Sequence, residues 1–228
     1  MPVTPDVGAD LRHIDTWLFD LDNTLYPLES GLAARMSPRI TDFVENLTGL
    51  PRPEALVLQK RYLAEHGLTL RGLMDHHGVD PDVYHATFHD VPLDCLAPDA
   101  ALQAGLRRLP GRRLIFTNSD DIHTQRVVEA LGLGGLFEGV FHIGSAAFWP
   151  KPSQAAFDAI VRAHAIKPRS TAFFEDSERN LEPAAELGMT TVLVGAHAGA
   201  STAPFVHYRT PTLAPFLLGA MIKERDPT

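Results

Sequence analysis

Short apolar runs, each closed by polar residues or glycine, alternate with helical patterns along most of this chain. Thr16 to Leu21 runs into acids, and Arg112 to Thr117 carries Leu114-Ile115-Phe116 before Asn118-Ser119. Val140 to Ile143 is a third run, Thr171 to Phe174 leads into Glu175-Asp176, and Thr190 to Val194 stops at Gly195. Runs of this length, rich in β-branched and aromatic residues, read as buried strands. Helical patterns lie between them. Asp99 to Leu109 is one, and Asp121 to Leu131 is another, with Ile122, Val127, Val128 and Leu131 as its apolar face. Ser153 to His164 carries Ala156, Phe157, Ile160 and Val161 on one stripe, and Leu181 to Leu187 is stopped by Gly188. Strands alternating with helices predict βαβ units, and hence a doubly wound, mostly parallel α/β sheet.

From about Glu29 to Pro98 the rhythm changes. No strand pattern appears there. Asp80-Pro81 has the form of an N-cap followed by proline at N1, Pro53 opens another helix, and Gly67 and Gly78 are helix stops. Leu32, Met36, Ile40, Phe43 and Leu47 recur at helical spacing, with Pro38 as a kink or a start. The expected organisation is an α/β core from residues 1–28 and 99–228, with an α-helical cap domain, 29–98, inserted after the first strand. Such an insert stands beside the carboxyl ends of the strands, where open α/β sheets bind ligands.

A parallel sheet brings those strand ends to one edge. The first ends in Asp20 and Asp22, the second in Thr117 and Asn118, and the fourth in Glu175 and Asp176; Lys151 follows the third in Pro150-Lys151-Pro152. Crowded carboxylates repel, so a cation is expected among them. A hard, all-oxygen set favours Mg²⁺. Lys151 adds a fixed positive charge, and Thr117 can donate its hydroxyl to a phosphate oxygen. This mixture suits a phosphoryl group, whose transfer is chiefly positioning and charge neutralisation. The Asp20-x-Asp22 spacing allows a division of labour: one carboxylate attacks phosphorus, and the other protonates the leaving alcohol and then activates water. The second must therefore be able to hold a proton.

Taken in this order, the four segments resemble those of haloacid dehalogenase (HAD) superfamily phosphatases, from about Ile14 to Gly195. The resemblance implies a Rossmann-like, HAD-like core with the cap inserted between the first and second motifs. It implies Asp20 as nucleophile and Mg²⁺ ligand, and Asp22 as general acid/base that also meets Mg²⁺ through its backbone carbonyl. Thr117 and Asn118 would hold the phosphoryl group, and Lys151 would pair with Asp20 and the phosphate. Asp176 would bind the metal, with Glu175 as a second carboxylate and Asn180 supporting Lys151 or the metal shell. Dehalogenases of the superfamily resemble the chain less, because they lack an acid at the position of Asp22 and need no metal. A non-catalytic member would be expected to lose Asp20, Asp22 or Lys151, and none is lost. Asp22-Asn23-Thr24-Leu25-Tyr26-Pro27 is similar to the pyrimidine 5′-nucleotidase branch, which implies nucleoside 5′-monophosphates such as UMP or CMP as substrates and Tyr26 as a substrate contact. A sugar-phosphate or broad small-molecule phosphatase is the alternative within the class.

The formal net charge of -8 argues against a nucleic-acid polymer or an anionic membrane as partner. It leaves room for a small phosphomonoester, because a local cation outweighs the global charge. One cysteine, Cys95, permits no intrachain disulfide and reads as a small buried or half-buried residue. Met1 to Arg12 has no leader-like apolar core, and Leu213 to Ile222 is too short to span a bilayer. The expectation is a cytoplasmic monomer or homodimer, with the Leu213–Ile222 helix docked on the core. His85 and His89 stand four apart, but without a third ligand they read as the polar face of a surface helix. Arg71, His76, Phe148 and Trp149 are candidate walls of the site. Arg107-Arg108 and Arg112-Arg113 read as solvated charge.

Overall fold

The structure, a computed structural model, describes residues 8–224. Residues 1–7 and 225–228, the outer ends of the expected core segments and most of the stretch searched for a leader, lie outside the described residues. Among the described residues, six strands form one sheet: β1 (Thr16–Phe19), β2 (Arg112–Phe116), β3 (Gly139–Phe141), β4 (Thr171–Glu175), β5 (Thr190–Val194) and β6 (Tyr208–Thr210). Their order is β3-β2-β1-β4-β5-β6, and every pairing is parallel. The sheet is thus fully parallel where a mostly parallel one was expected. The edge strand β6 was missed because a three-residue strand carries too little pattern to read.

Side chains alternate strictly across the sheet. Trp17, Phe19, Ile115, Phe174 and Val192 enter one buried layer, whereas Leu18, Leu114, Phe116, Phe173 and Leu193 enter the other. The first layer is closed by α5 (Ala100–Arg108), α6 (Asp121–Ala130) and α9 (Leu213–Gly219), and the second by α7 (Gln154–His164) and α8 (Glu178–Glu186). Burial on both faces explains why the strands read as continuous apolar runs. Phe19 and Phe174 stack at 4.7 Å between ring centroids in the middle of the first layer. The α9 helix docks on α5 as expected, and Arg108 caps its end by donating to the Leu218 (2.8 Å) and Ala220 (3.2 Å) carbonyls. Arg112 donates to Glu138 and to the His164 carbonyl, and Arg113 to the Leu109 and Leu136 carbonyls. These arginines are therefore braces of loop and helix ends, not solvated charge.

Between β1 and α5 stand the helices α1 (Leu32–Thr48), α2 (Arg52–His66), α3 (Thr69–His77) and α4 (Pro81–Ala86), which form the inserted cap. Helix α1 runs through Pro38 unbroken; Val44 and Thr41 fill its buried face, while Leu47 is exposed. The surface-helix reading of His85 and His89 is overturned. Helix α4 stops at Ala86, so the two do not share a helix face. His85 is buried, near Phe88 and Phe148, and His89 reaches across to Asp120 of the core. The cap sits close on the core at Gly67, where a Cβ would stand 3.1 Å from the Lys151 carbonyl oxygen. Gly67 also adopts φ +79°, so glycine is required there twice over. Among the described residues, no helix is long and apolar enough to cross a membrane.

Candidate active site

Phe19 pairs with Ile115 on one side and Phe174 on the other, so the residues after each strand leave the sheet at one edge. Asp20 follows β1 there, its N–H still bonded to the Phe174 carbonyl at 2.9 Å. Lys151 arrives from the loop before α7. Its ammonium is 1% exposed and donates to Asp20 Oδ1 (2.6 Å), Glu175 Oε2 (2.7 Å) and the Phe116 carbonyl (2.8 Å). An ammonium has three N–H bonds, and all are used. Of the two roles expected of Asn180, the contact to Lys151 is accordingly not made: among the described residues its buried amide oxygen has no hydrogen-bond partner. Phe116 and Phe173 pack their rings about the ammonium, with centroids 5.1 and 5.3 Å away.

Burial would push the Lys151 ammonium down, but the charges of Asp20 and Glu175 outweigh it and hold it up at about 12. The carboxylates move the other way. Burial, then the Glu175 charge, raise Asp20 to about 7 against the pull of Lys151. Burial raises Glu175 to about 7, and burial with the Asp20 charge raises Asp176 to about 6. One ammonium therefore does not neutralise this cluster. Oxygens of Asp20, Glu175 and Asp176 lie within 4.8 Å of one another. An all-oxygen set with surplus negative charge fits a hard divalent cation. Glu175 has both oxygens engaged, one by Lys151 and the other by the Ser177 N–H at 3.1 Å. Its immediate work is thus to hold Lys151; Asp20 also has both oxygens engaged, Oδ1 by Lys151 and Oδ2 by the Thr24 hydroxyl at 3.2 Å, and Asp176 is the least buried of the three.

Asp22 is arranged differently. Its Oδ1 accepts from the Tyr26 hydroxyl (2.6 Å) and meets His123 Nε2 at 2.9 Å, while Oδ2 accepts from the Ser119 hydroxyl (2.5 Å). Burial opposes ionisation, but the charge and hydrogen bond of His123, then Ser119 and Tyr26, bring Asp22 down to about 2. By the protein's own charges, Asp20 is the carboxylate that resists ionisation, and Asp22 is held as the anion. His123 moves up, because the Asp22 charge overcomes the effect of burial.

Thr117 is buried beside the cluster, and its hydroxyl oxygen accepts the Ser119 N–H at 3.0 Å, leaving its own proton to donate. Asn118 clamps the Lys151 backbone both ways, accepting its N–H (2.8 Å) and donating to its carbonyl (3.2 Å). It positions Lys151, a role that the sequence did not show. Tyr26 is buried with its hydroxyl turned to Asp22, so that group supports the acid, while the residue also lines a cavity beside Asp176. Arg71 pairs with Asp75 and lies 4.4 Å over the Trp149 ring, tying cap to core, whereas His76 stacks on Tyr62 within the cap. Phe148 packs against the core cluster near His85. A cavity of about 500 Å³ borders Asp176 and is lined by Asn23, His197, Leu25, Leu102 and Leu213 among others.

Sequence reasoning missed Ser119, His123 and His197, whose Nε2 meets the Asp176 carbonyl oxygen at 2.8 Å. A signal for His123 exists: a histidine in the first turn of the helix after a strand that ends at the site. It was obscured by giving that helix an apolar face through Ile122, which is 51% exposed, whereas His123 and Thr124 point inward.

Known proteins are similar to this chain in sequence or in fold. Phosphate metabolism protein 8 of Saccharomyces cerevisiae is 30% identical over 193 residues, or 78% of this chain. The chain spans 60% of the length of that relative. The HAD phosphatase from Thermococcus onnurineus superposes with a TM-score of 0.59 at 18% identity, over 87% of this chain and 94% of that one. L-2-haloacid dehalogenase from Xanthobacter autotrophicus, with chloropropionic acid covalently bound, gives 0.56 at 16% identity, over 90% and 97%. A phosphatase and a dehalogenase thus share this fold, and the architecture by itself does not choose between them. Residues 14–188, which hold the Asp20 edge, the helical insert and the Lys151 loop, match the haloacid dehalogenase-like hydrolase family, and the chain belongs to it.

Proposed function

We propose that the chain is a Mg²⁺-dependent phosphomonoester hydrolase that works through an aspartyl-phosphate, with pyrimidine nucleoside 5′-monophosphates as its substrates. The observation that carries the chemistry is the buried Lys151 ammonium between Asp20 and Glu175, beside Asp176 and with a separately supported Asp22 two residues on. A carbon–halogen bond asks for a nucleophile alone, whereas a phosphoryl group asks for surplus cation and an acid/base. The name of the yeast relative, a phosphate metabolism protein, points the same way. The choice of pyrimidine nucleotides rests on the Asp22-Asn23-Thr24-Leu25-Tyr26 resemblance. A bordering cavity of about 500 Å³ supports a leaving group of small-molecule size.

Asp20 attacks phosphorus, and the bond from phosphorus to the ester oxygen breaks. Asp22, which rests as the anion, takes a proton from solvent as the phosphoryl charge arrives and gives it to the departing alkoxide. Water then attacks the phosphoryl group and gives a proton back to Asp22, and the bond from phosphorus to the Asp20 oxygen breaks to release phosphate. Asp20 and Asp176, with Glu175 and the Asp22 backbone carbonyl nearby, would hold Mg²⁺, which when bound neutralises charge on the phosphoryl oxygens. Thr117 steadies the same oxygens with its hydroxyl proton and Lys151 with its charge, and the cap, which we assign to residues 29–98, excludes water.

The test is phosphate release with Mg²⁺ across nucleotides, sugar phosphates and a halogenated acid. UMP and CMP are expected at the head of the profile, with EDTA abolishing turnover and Mg²⁺ restoring it. A flat profile sinks the nucleotide assignment, and halide release without metal sinks the phosphatase. A pH prediction follows from the same cluster. With Asp20 and Glu175 raised to about 7 and Asp176 to about 6, cation binding must displace protons as pH falls. Mg²⁺ affinity is expected to drop by roughly ten-fold or more from pH 8 to pH 6, with proton release seen by calorimetry in buffers of different ionisation heat. An affinity that is flat across this window places the metal elsewhere.

A further inference from the structure

We infer that His123 is the positioning residue of the acid/base, holding Asp22 in register with the reacting phosphoryl group from the first turn of α6. This rests on the reading of Asp22 as acid/base given above.

Asp22 needs such a device. It lies beyond the end of β1, and Asn23, next to it, adopts φ 64° in a left-handed turn. Its side chain is 28% exposed, so neither the ladder nor packing fixes it. Three donors from three segments do so instead: Tyr26 from the hinge into the cap, Ser119 from the loop after β2, and His123 from α6. Of these, His123 is the anchored one. It is 2% exposed, and the helix start that carries it is tied down by Asp120. Asp120 Oδ1 accepts the His123 N–H at 3.0 Å, and the Asp120 carbonyl accepts the Thr124 hydroxyl at 2.7 Å. The cap reaches the same point, because His89 Nε2 stands 3.1 Å from Asp120 Oδ1. A rigid element thus presents a ring nitrogen to a carboxylate on a turn, and that carboxylate must meet the leaving oxygen. A two-donor Asp22 would sample other rotamers, and proton delivery is steeply sensitive to such misplacement.

The test separates proton delivery from every other step by varying only the leaving group. p-Nitrophenolate leaves without help, whereas phenolate gains from a proton. kcat/KM is measured for p-nitrophenyl phosphate and phenyl phosphate, which differ little in shape. In His123→Ala the phenyl to p-nitrophenyl ratio is expected to fall about ten-fold from that of the parent enzyme. His123→Asn, which keeps a polar first-turn residue but falls short of Asp22, is expected to show the same drop. His123→Gln, which returns an N–H to the same reach, restores most of the ratio. Asp22→Ala, run alongside, sets the full size of the effect. If its ratio falls while the ratios of the His123 variants stay at the parent value, His123 does not position Asp22. If the Asp22→Ala ratio itself does not move, the reading of Asp22 as the acid has failed instead. Equal losses on both substrates in the His123 variants would mark a merely structural residue and overturn the inference.

Discussion

Asp20→Asn is expected to lower turnover by roughly four orders of magnitude or more while leaving the chain folded. The amide is no nucleophile, so the covalent step is lost outright. Substrate contacts made by Thr117 and Lys151 remain, and binding measured with a non-hydrolysed phosphonate should therefore persist. The fold has little to lose. Asp20 is raised to about 7 from 3.8 by burial and Glu175, which means that its ionised form is disfavoured in the native state. A carboxyl whose folded pKa lies above its unfolded value withdraws stability as pH rises through that window. In EDTA, the parent protein should thus lose stability from about pH 4 to pH 7 through this group, and the asparagine variant should not. Lys151 keeps Glu175 and the Phe116 carbonyl as partners. Denaturant unfolding at pH 8 should place the variant at or above the parent. Near-normal phosphate release by the variant would end the covalent mechanism.

How far the site was legible follows from what each residue depends on. Asp20, Thr117 and Glu175 sit at ends of apolar runs, and parallel pairing alone carries them to one edge. Lys151 was readable from Lys-Pro before a helix, but the use of all three of its N–H bonds was not. That depends on the Phe116 carbonyl, which no pattern marks. Asn118 and Tyr26 were found as site residues, but their contacts to Lys151 and Asp22 were not legible, because those partners lie on other segments or across a turn. Asn118 grips a loop 33 residues away, and Tyr26 reaches Asp22 over the turn at Asn23. His123 was hidden by helical phase. Asp120 caps α6 and sets which residues face inward, and that choice overrode the apolar bias toward Ile122. Arg108, Arg112 and Arg113 looked solvated because the carbonyls they cap come together only in the folded chain.

The second large effect is expected from Lys151→Met, which keeps the apolar stem between Phe116 and Phe173 and removes the charge. Activity should fall by roughly two to three orders of magnitude, as for loss of an electrostatic group in contact with developing charge. Stability should fall as well, and in a pH-dependent way. Two buried carboxylates would lose their shared ammonium, and breaking a buried pair by removing one partner costs about 3–5 kcal/mol. That cost exists only while the carboxylates are ionised. Asp20 and Glu175 already stand at about 7 with Lys151 present, and its removal takes away the charge that pulls both down. Their folded values then rise further above the unfolded 3.8 and 4.5, so the native state takes up protons instead of bearing bare charge. The sign is therefore fixed: the deficit should be small near pH 4, grow as pH rises through 7, and be largest above it. Mg²⁺ should recover part of it, since a cation that binds only the native cluster stabilises by mass action. Denaturant titrations at pH 4.5, 7 and 8.5, with EDTA or Mg²⁺, read all three statements. A deficit that stays constant across pH would mean that Lys151 contributes by packing. The buried charge would then cease to be the reason that Asp20 and Glu175 are held together.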